Sequence, residues 1–129
     1  VGHPDWVQQL EKLRLPYNIN VLTQVATDLV LQHIDVLNQQ TAEIRATRST
    51  LFAALQALPG VTPFPSDANF ILARVPDAPK LFAALKARNI LIKNLHGGHP
   101  MLQHCLRFTV GTPDENAALL NALRTELAE

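Results

Sequence analysis

The sequence predicts an α+β fold, in which a long N-terminal helix precedes a small sheet with helices packed on it. Two observations lead to this prediction. Residues 21–58 contain neither glycine nor proline, and their apolar side chains recur at helical spacing. From residue 69 onward the predicted order is strand, helix, strand, strand, helix, which is typical of a small two-layer domain. We therefore predict two regions: residues 1–58, an interdomain link and long helix, and residues 59–129, a C-terminal small α/β domain.

The first region begins with a short predicted helix over Trp6–Leu13. A single helix over Val21–Leu58 would extend about 55 Å at about 1.5 Å per residue, far beyond the mean helix of a compact domain. We therefore predict a kink or break near Asn38–Thr41. A helix of this length suits a spine between two domains, so its apolar face along Val21–Leu37 is predicted to be exposed on this chain.

The second region begins after Pro59 and Gly60, which stop the helix. Its elements are short, and residues that break helices and strands separate them. They are an edge strand over Val61–Phe64, a strand over Asn69–Val75, a helix that ends near Arg88, strands over Ile90–Lys93 and Cys105–Val110, and a helix over Pro113–Leu127.

The strand Cys105–Val110 contains the most unusual residue of the chain, Arg107. An arginine inside a strand, among apolar neighbours, is costly unless an anion meets it. Two interpretations stay open. Arg107 forms a structural ion pair or extends its charge to the surface, or the sheet holds its guanidinium as a fork that binds a carboxylate or phosphate at two points. Directly afterwards, Thr112, Pro113 and Glu115 form a capping box that predicts the start of the last helix.

Composition excludes some classes of partner. Eleven lysine and arginine residues balance eleven aspartate and glutamate residues, so no basic stripe indicates nucleic acid or an anionic membrane as a partner. No apolar run approaches the ~20 residues of a membrane span. The single cysteine, Cys105, fits a reducing compartment, and we expect a cytoplasmic protein. Its place in an apolar strand indicates core packing.

Three histidines, His96, His99 and His104, precede Cys105 within ten residues. Their spacing matches none of the usual structural zinc patterns, and neighbouring residues of a strand point to opposite faces. We therefore predict a polar loop here and no metal site.

Four motifs, in collinear order, resemble the family of histidinol-phosphate aminotransferases. The C-terminal motif is similar to the family's C-L-R-[IF]-T-V-G-T-x-E-E-N, and the others to its R-x-P-Y-N-[LIV]-N, E-R-x-x-L and S-x-A-N-F-[IVL]-L. In this sequence the four motifs lie at Cys105–Asn116, Arg14–Asn20, Glu43–Leu51 and Ser66–Leu72. Together they span nearly the whole chain, but the resemblance covers only the last third of that enzyme.

The resemblance implies the C-terminal small domain of a fold type I aminotransferase that depends on pyridoxal 5'-phosphate. The implied homodimeric enzyme moves an amino group between L-histidinol phosphate and 2-oxoglutarate, in histidine biosynthesis. Related enzymes act on aromatic amino acids or threonine phosphate, so a phosphorylated amino alcohol or an amino acid is the implied donor. Arg107 is the implied substrate-binding residue, joined by Lys93 and by Asn20, which follows Tyr17 and Asn18 in the link between the domains.

The same resemblance implies that the catalytic residues lie upstream. The lysines of this chain are Lys12, Lys80, Lys86 and Lys93, and none has the sequence context of the family's Schiff-base lysine. We therefore predict no catalytic and no cofactor-binding residue in this stretch, which alone is expected to be inactive. The alternative is a non-catalytic α+β module that binds a ligand or regulates, with an anion site used for sensing. The residues upstream of Val1 would distinguish the two.

Overall fold

The computed structural model describes residues 2–15 and 19–128. The chain divides into two compact units, Val1–Asn38 and Gln39–Glu129. In chain order, the described elements are α1 (Pro4–Glu11), α2 (Val21–Gln32), α3 (Ile34–Gln56), β1 (Thr62–Pro63), β2 (Phe70–Arg74), α4 (Ala78–Ala87), β3 (Lys93–Asn94), a short 3-10 helix (Pro100–Leu102), β4 (Cys105–Thr109) and α5 (Pro113–Leu127). Among these described helices, none is long and apolar enough to cross a membrane.

The second unit is built on an antiparallel sheet with the strand order β1-β2-β4-β3. Apolar side chains alternate along the two central strands, so one face of the sheet is buried beneath the helices. Ile71 and Ala73 on β2 and Leu106 and Phe108 on β4 are all 0% exposed. They form one core with buried residues of three helices, which are Leu51 and Leu55 of α3, Ala78, Leu81 and Leu85 of α4, and Leu119, Ala122 and Leu123 of α5. This arrangement confirms the predicted α+β class.

In the first unit, α1 and α2 contain no buried residue. Their apolar side chains are exposed to a large degree, for example 73% for Trp6 and 82% for Leu22. Exposure continues through Val36 and Leu37 at the start of α3. The prediction of an exposed apolar face along Val21–Leu37 is therefore confirmed.

The predicted long helix is interrupted at His33, and the prediction of a break near Asn38–Thr41 was wrong. The backbone of His33 leaves the helical region at φ −114° and ψ 36°, and its N–H donates to Val30 O in a tight turn at 3.1 Å. No glycine or proline marks this position. The polar stretch at residues 38–41 stays helical instead, because exposed polar side chains are compatible with a helix. Gln39 there donates a hydrogen bond to Glu43, one turn further on.

Two predicted strands are shorter than expected. The strand predicted over Ile90–Lys93 pairs with β4 only at Lys93 and Asn94. Ile90 and Ile92 instead pack their side chains against the core. Residues of this segment and of β4, among them Ile92 and Thr109, line a cavity of about 430 Å³. The strand predicted over Val61–Phe64 pairs only at Thr62–Pro63. It is an edge strand, as expected for a segment with a proline that cannot donate.

The compact units divide at Asn38 and Gln39, whereas the sequence predicted a boundary between residues 58 and 59. The difference arises because the second half of α3 contributes Leu51 and Leu55 to the core of the second unit. The boundary at residue 58 as a division between domains stays a prediction.

The start of α5 follows the predicted capping box. Thr112 N and Oγ1 both donate to Glu115 Oε2, at 2.8 and 3.0 Å, and Glu115 N donates back to Thr112 Oγ1 at 3.3 Å. Gly111 leaves room for this carboxylate, since a Cβ there would lie 2.7 Å from Glu115 Oε2. The backbone and then the side-chain hydrogen bonds from Thr112 lower the pKa of Glu115 below its ordinary value.

This capping box predicts an acid-sensitive contribution to stability. Because the pKa of Glu115 is lowered in the folded state, the contribution is full above the unfolded pKa of about 4.3 and is lost as the pH falls through the folded value. We expect Glu115→Gln to lower the melting temperature of the full-length protein near pH 7, and the difference to shrink below about pH 4. Melting curves across this range would test it. A difference that is independent of pH would contradict it.

Candidate anion-binding site

Arg107 lies at the centre of β4, on the face of the sheet that the core does not use. Leu106 and Phe108, on either side of it, are fully buried in the core, whereas Arg107 is only half-buried. Among residues 2–15 and 19–128, no carboxylate forms an ion pair with Arg107. The structural ion pair therefore has no support in this part of the chain. Binding of an external anion stays a prediction.

Lys93 is brought directly opposite Arg107 by the pairing of β3 with β4. Residues that are opposite each other in an antiparallel pair point to the same face, with Cβ atoms about 4.5–5.5 Å apart. Two like charges in this arrangement destabilise the sheet unless an anion lies between them. Lys93 is exposed, so its amine is accessible to a ligand that Arg107 holds. Of the predicted substrate-binding residues, these two are the ones that the sheet brings together.

The guanidinium of Arg107 lies over an aromatic ring. Its Cζ is 4.9 Å from the centroid of Phe70, which is diagonal to it across β2, while Leu72 is directly opposite. Of the three guanidinium nitrogens, Nε alone is buried without a hydrogen-bond partner in the described part of the chain. The two Nη atoms at the end of the guanidinium thus remain available for binding, whereas Nε is enclosed.

Two polar side chains that the sequence did not reveal as functional fix the ends of the strands that carry this site. Asn116 is 7% exposed, and its amide both accepts from Gly111 N at 3.1 Å and donates to Gly111 O at 2.9 Å. It therefore fixes the turn that follows β4. Its only signal in the sequence was its place in the C-terminal motif.

The second of these side chains is that of Arg48 on α3, which fixes the loop before β2. Its Nη1 donates to Ala68 O at 2.9 Å, and its Nη2 is 3.5 Å from Asp67 Oδ1. Ser66 Oγ donates to Phe70 O at 2.6 Å and accepts from Ala68 N at 3.1 Å. These bonds position the loop from which Phe70 enters the sheet.

The third predicted substrate-binding residue, Asn20, caps helix α2. Its Oδ1 accepts a hydrogen bond from Thr23 N at 2.8 Å, which is the usual role of asparagine at this position. It belongs to the first compact unit, and its role toward a substrate stays a prediction. Tyr17 and Asn18, which the resemblance joins to it, lie outside the described residues.

In the histidine-rich loop, histidine side chains accept hydrogen bonds from backbone N–H groups of the same loop. His96 Nδ1 accepts from His104 N at 2.9 Å, and the two rings lie 4.8 Å apart. His99 Nδ1 accepts from Met101 N at 3.2 Å and caps the 3-10 helix. Within residues 2–15 and 19–128, no three histidine, cysteine or acidic side chains are grouped closely enough to hold a metal ion.

One known protein family matches nearly the whole chain. The model of the family "Aminotransferase class I and II" matches residues 1–123. The chain belongs to this family.

Relatives of this aminotransferase chain are named histidinol-phosphate aminotransferases. Histidinol-phosphate aminotransferase from Chromobacterium violaceum is 60% identical over 121 residues, which are 94% of this chain and 34% of that protein. The chain spans about a third of the length of the curated relatives that it matches. The resemblance read from the four motifs is therefore confirmed.

Solved structures agree with the fold of the aminotransferase chain. Histidinol-phosphate aminotransferase from Clostridium acetobutylicum has a TM-score of 0.82 at 20% identity, over 96% of this chain and 38% of that one. The enzyme from Sinorhizobium meliloti, solved in complex with pyridoxal 5'-phosphate, has a TM-score of 0.76 at 22% identity, over 97% and 34%. At these identities the likeness establishes the fold.

The described residues of the aminotransferase chain do not fit a pyridoxal phosphate site. Such a site needs a lysine whose amine is activated by a desolvated or cationic environment, together with an acidic partner for the ring nitrogen. All four lysines are exposed. Lys12 donates to Gln9, Lys80 and Lys86 lie on the exposed side of α4, and Lys93 lies on the edge strand β3. None of them is enclosed beside a carboxylate.

Proposed function

We propose that this chain is the substrate-gripping part of a pyridoxal-phosphate-dependent aminotransferase. The enzyme transfers an amino group between L-histidinol phosphate and 2-oxoglutarate, in histidine biosynthesis. One observation carries the role of this part: a half-buried guanidinium, that of Arg107, has no anionic partner in the described residues, and a second cation, Lys93, is opposite it on the next strand. The family match and the 60% identity to a histidinol-phosphate aminotransferase support the reaction.

In this proposal Arg107 binds the anionic end of each substrate in turn. L-Histidinol phosphate offers its phosphate to Arg107, and 2-oxoglutarate and glutamate, which each carry two carboxylates, offer the 1-carboxylate. A planar guanidinium donates two parallel hydrogen bonds to either group, which lysine cannot do. Lys93 adds a point charge at the same place and lowers the free energy of the bound dianion further. Holding the anionic end fixes the distance from the anchor to the amine, and this positions the reacting carbon.

The remaining parts of the mechanism belong to the rest of the full-length protein. When bound, pyridoxal phosphate supplies an electron sink for the carbanion that transamination requires. We propose that its Schiff-base lysine, its acidic partner and its phosphate site come from the large domain. Asn20 lines the cleft between the domains, with residues 1–58 as the link. A homodimer in the cytoplasm completes the proposal.

The test is an assay of the full-length protein, purified with pyridoxal phosphate and supplied with 2-oxoglutarate. We expect glutamate formation with L-histidinol phosphate as donor. L-Histidinol, which is the same molecule without phosphate, should lose about ten- to a hundredfold in kcat/KM, because the charge-assisted hydrogen bonds are absent. Phenylalanine and O-phosphothreonine serve as competing donors.

Two outcomes would contradict the proposal. Equal kcat/KM values for L-histidinol and its phosphate would exclude phosphate recognition by the cationic pair. Absence of turnover with every donor in the cofactor-loaded protein, together with saturable phosphate binding, would favour the regulatory module instead.

A further inference from the structure

We propose that Phe70 is a positioning residue, which holds the guanidinium of Arg107 so that only its two Nη atoms engage the substrate anion. The inference rests on the proposed function of Arg107 and adds a residue and a binding geometry to it. Three observations support it: the ring beneath the guanidinium, the enclosed Nε, and the absence, among the described residues, of a hydrogen bond or ion pair that orients the guanidinium.

The guanidinium of Arg107 lies over the face of the Phe70 ring. At 4.9 Å between Cζ and the ring centroid, the cation lies within the range in which the negative face of an aromatic ring attracts it. This attraction restrains the position of the guanidinium over the ring. The ring carries no oxygen or nitrogen atom, so it does not compete with an anion for the hydrogen bonds of the guanidinium.

Because Nε of Arg107 is buried, it decides which pair of guanidinium nitrogens can bind an anion. A carboxylate or phosphate can pair with Nε and one Nη, or with the two Nη atoms. Nε of Arg107 is inaccessible and has no partner among the described residues. The first mode is therefore closed, and the anion approaches the end of the side chain, on the face of the sheet where Lys93 is opposite.

Among the described residues, no hydrogen bond orients the guanidinium of Arg107 in addition to its contact with Phe70. The other arginine that stacks on this sheet, Arg74, lies 5.7 Å from the ring of Phe64 and also donates to Gln103 O at 3.1 Å and Met101 O at 2.8 Å. The orientation of Arg74 is therefore fixed by the backbone. Within residues 2–15 and 19–128, the ring of Phe70 is the one group that orients the guanidinium of Arg107. The loop that Arg48 and Ser66 hold fixes the position of this ring.

The experiment compares Phe70→Leu, Phe70→Met and Phe70→Tyr in the full-length, cofactor-loaded protein. Loss of the ring in the Leu and Met variants should raise KM for both L-histidinol phosphate and 2-oxoglutarate. It should lower kcat/KM about 2- to 30-fold, the range that corresponds to a lost cation–π contact. Phe70→Tyr keeps the ring face and should restore values near those of the wild type. Cofactor absorbance and the melting temperature are recorded for every variant.

Phe64→Leu is the matched control, because it removes the ring beneath Arg74 on the same sheet. It should lower the melting temperature without a change in KM. In Arg107→Lys the fork is already absent, so adding Phe70→Leu should cost little more in kcat/KM.

Distinct results overturn the two proposals. Unchanged KM values in the folded Leu and Met variants, alongside impaired Arg107→Lys, would refute the role of Phe70 and leave that of Arg107 intact. Losses in the Arg107→Lys, Phe70→Leu double variant that simply multiply would also refute it. Normal kinetics of Arg107→Lys itself would refute the proposed function instead.

Discussion

Replacing Arg107 by lysine in the full-length protein should lower kcat/KM for both the amino donor and 2-oxoglutarate by about ten- to over a hundredfold. Lysine keeps the charge but loses one charge-assisted hydrogen bond, which contributes about 1.5–3 kcal/mol. Cofactor absorbance should be unchanged, because the guanidinium is expected to contact the substrate and not the cofactor. Arg107→Ala should cost more still, since the exposed amine of Lys93 would be the one proposed cation left to meet the anion. Steady-state kinetics of both half-reactions, measured beside the melting temperature, would check this.

The control for this prediction is Arg74→Lys. Arg74 is on the same side of the neighbouring strand β2, but its guanidinium donates to the carbonyls of Met101 and Gln103. Its replacement should lower stability and leave the kinetics near normal. If Arg107→Lys also lowers stability and leaves the kinetics near normal, Arg107 is structural and its assignment to the substrate is wrong.

The largest effect on stability is expected from Phe108→Ala. Phe108 is 0% exposed and lies opposite Ile71 at the centre of the sheet. Removing the ring loses its transfer free energy and leaves a cavity, which together typically cost about 3–5 kcal/mol. Urea denaturation of the full-length protein should therefore show a much lower midpoint for the transition of this domain. Thr109→Ala, at the next and exposed position, should change stability by less than about 0.5 kcal/mol. Similar midpoints for both variants would contradict the assignment of the core.

Local chemistry explains what the sequence predicted well. The start of α5 is specified by a capping box within four residues, so Thr112, Pro113 and Glu115 suffice to locate it. The alternation along β4 is equally local. The break at His33 and the short pairing of β3 were not predicted, because neither has a nearby signal. Leu91 is 83% exposed beside two isoleucines that pack on the core, and only the tertiary structure decides between packing and pairing there.

The residues of the candidate site also differ in whether a local signal in the sequence reveals them. Arg107 was recognisable from the sequence because a cation inside an apolar strand is unusual in itself. Lys93 was expected from the resemblance. Phe70, in contrast, becomes a neighbour of Arg107 only through the pairing of β2 with β4, whose partners lie far apart in the chain. Asn116 likewise bonds to Gly111 across a turn whose geometry the motif alone does not reveal.

The alternation of Leu106, Arg107 and Phe108 has a consequence for the fidelity of folding. Because successive side chains of a strand point to opposite faces, a slip of β4 by one residue would exchange them all. The guanidinium would enter the apolar core, and the phenylalanine ring would take its place on the outer face. The proposed anion binding and the cohesion of the domain thus depend on the same three residues, and we expect a misregistered molecule to lose both at once. Under the proposed role of Arg107, binding of the anion would report directly on whether the sheet has assembled in its native register.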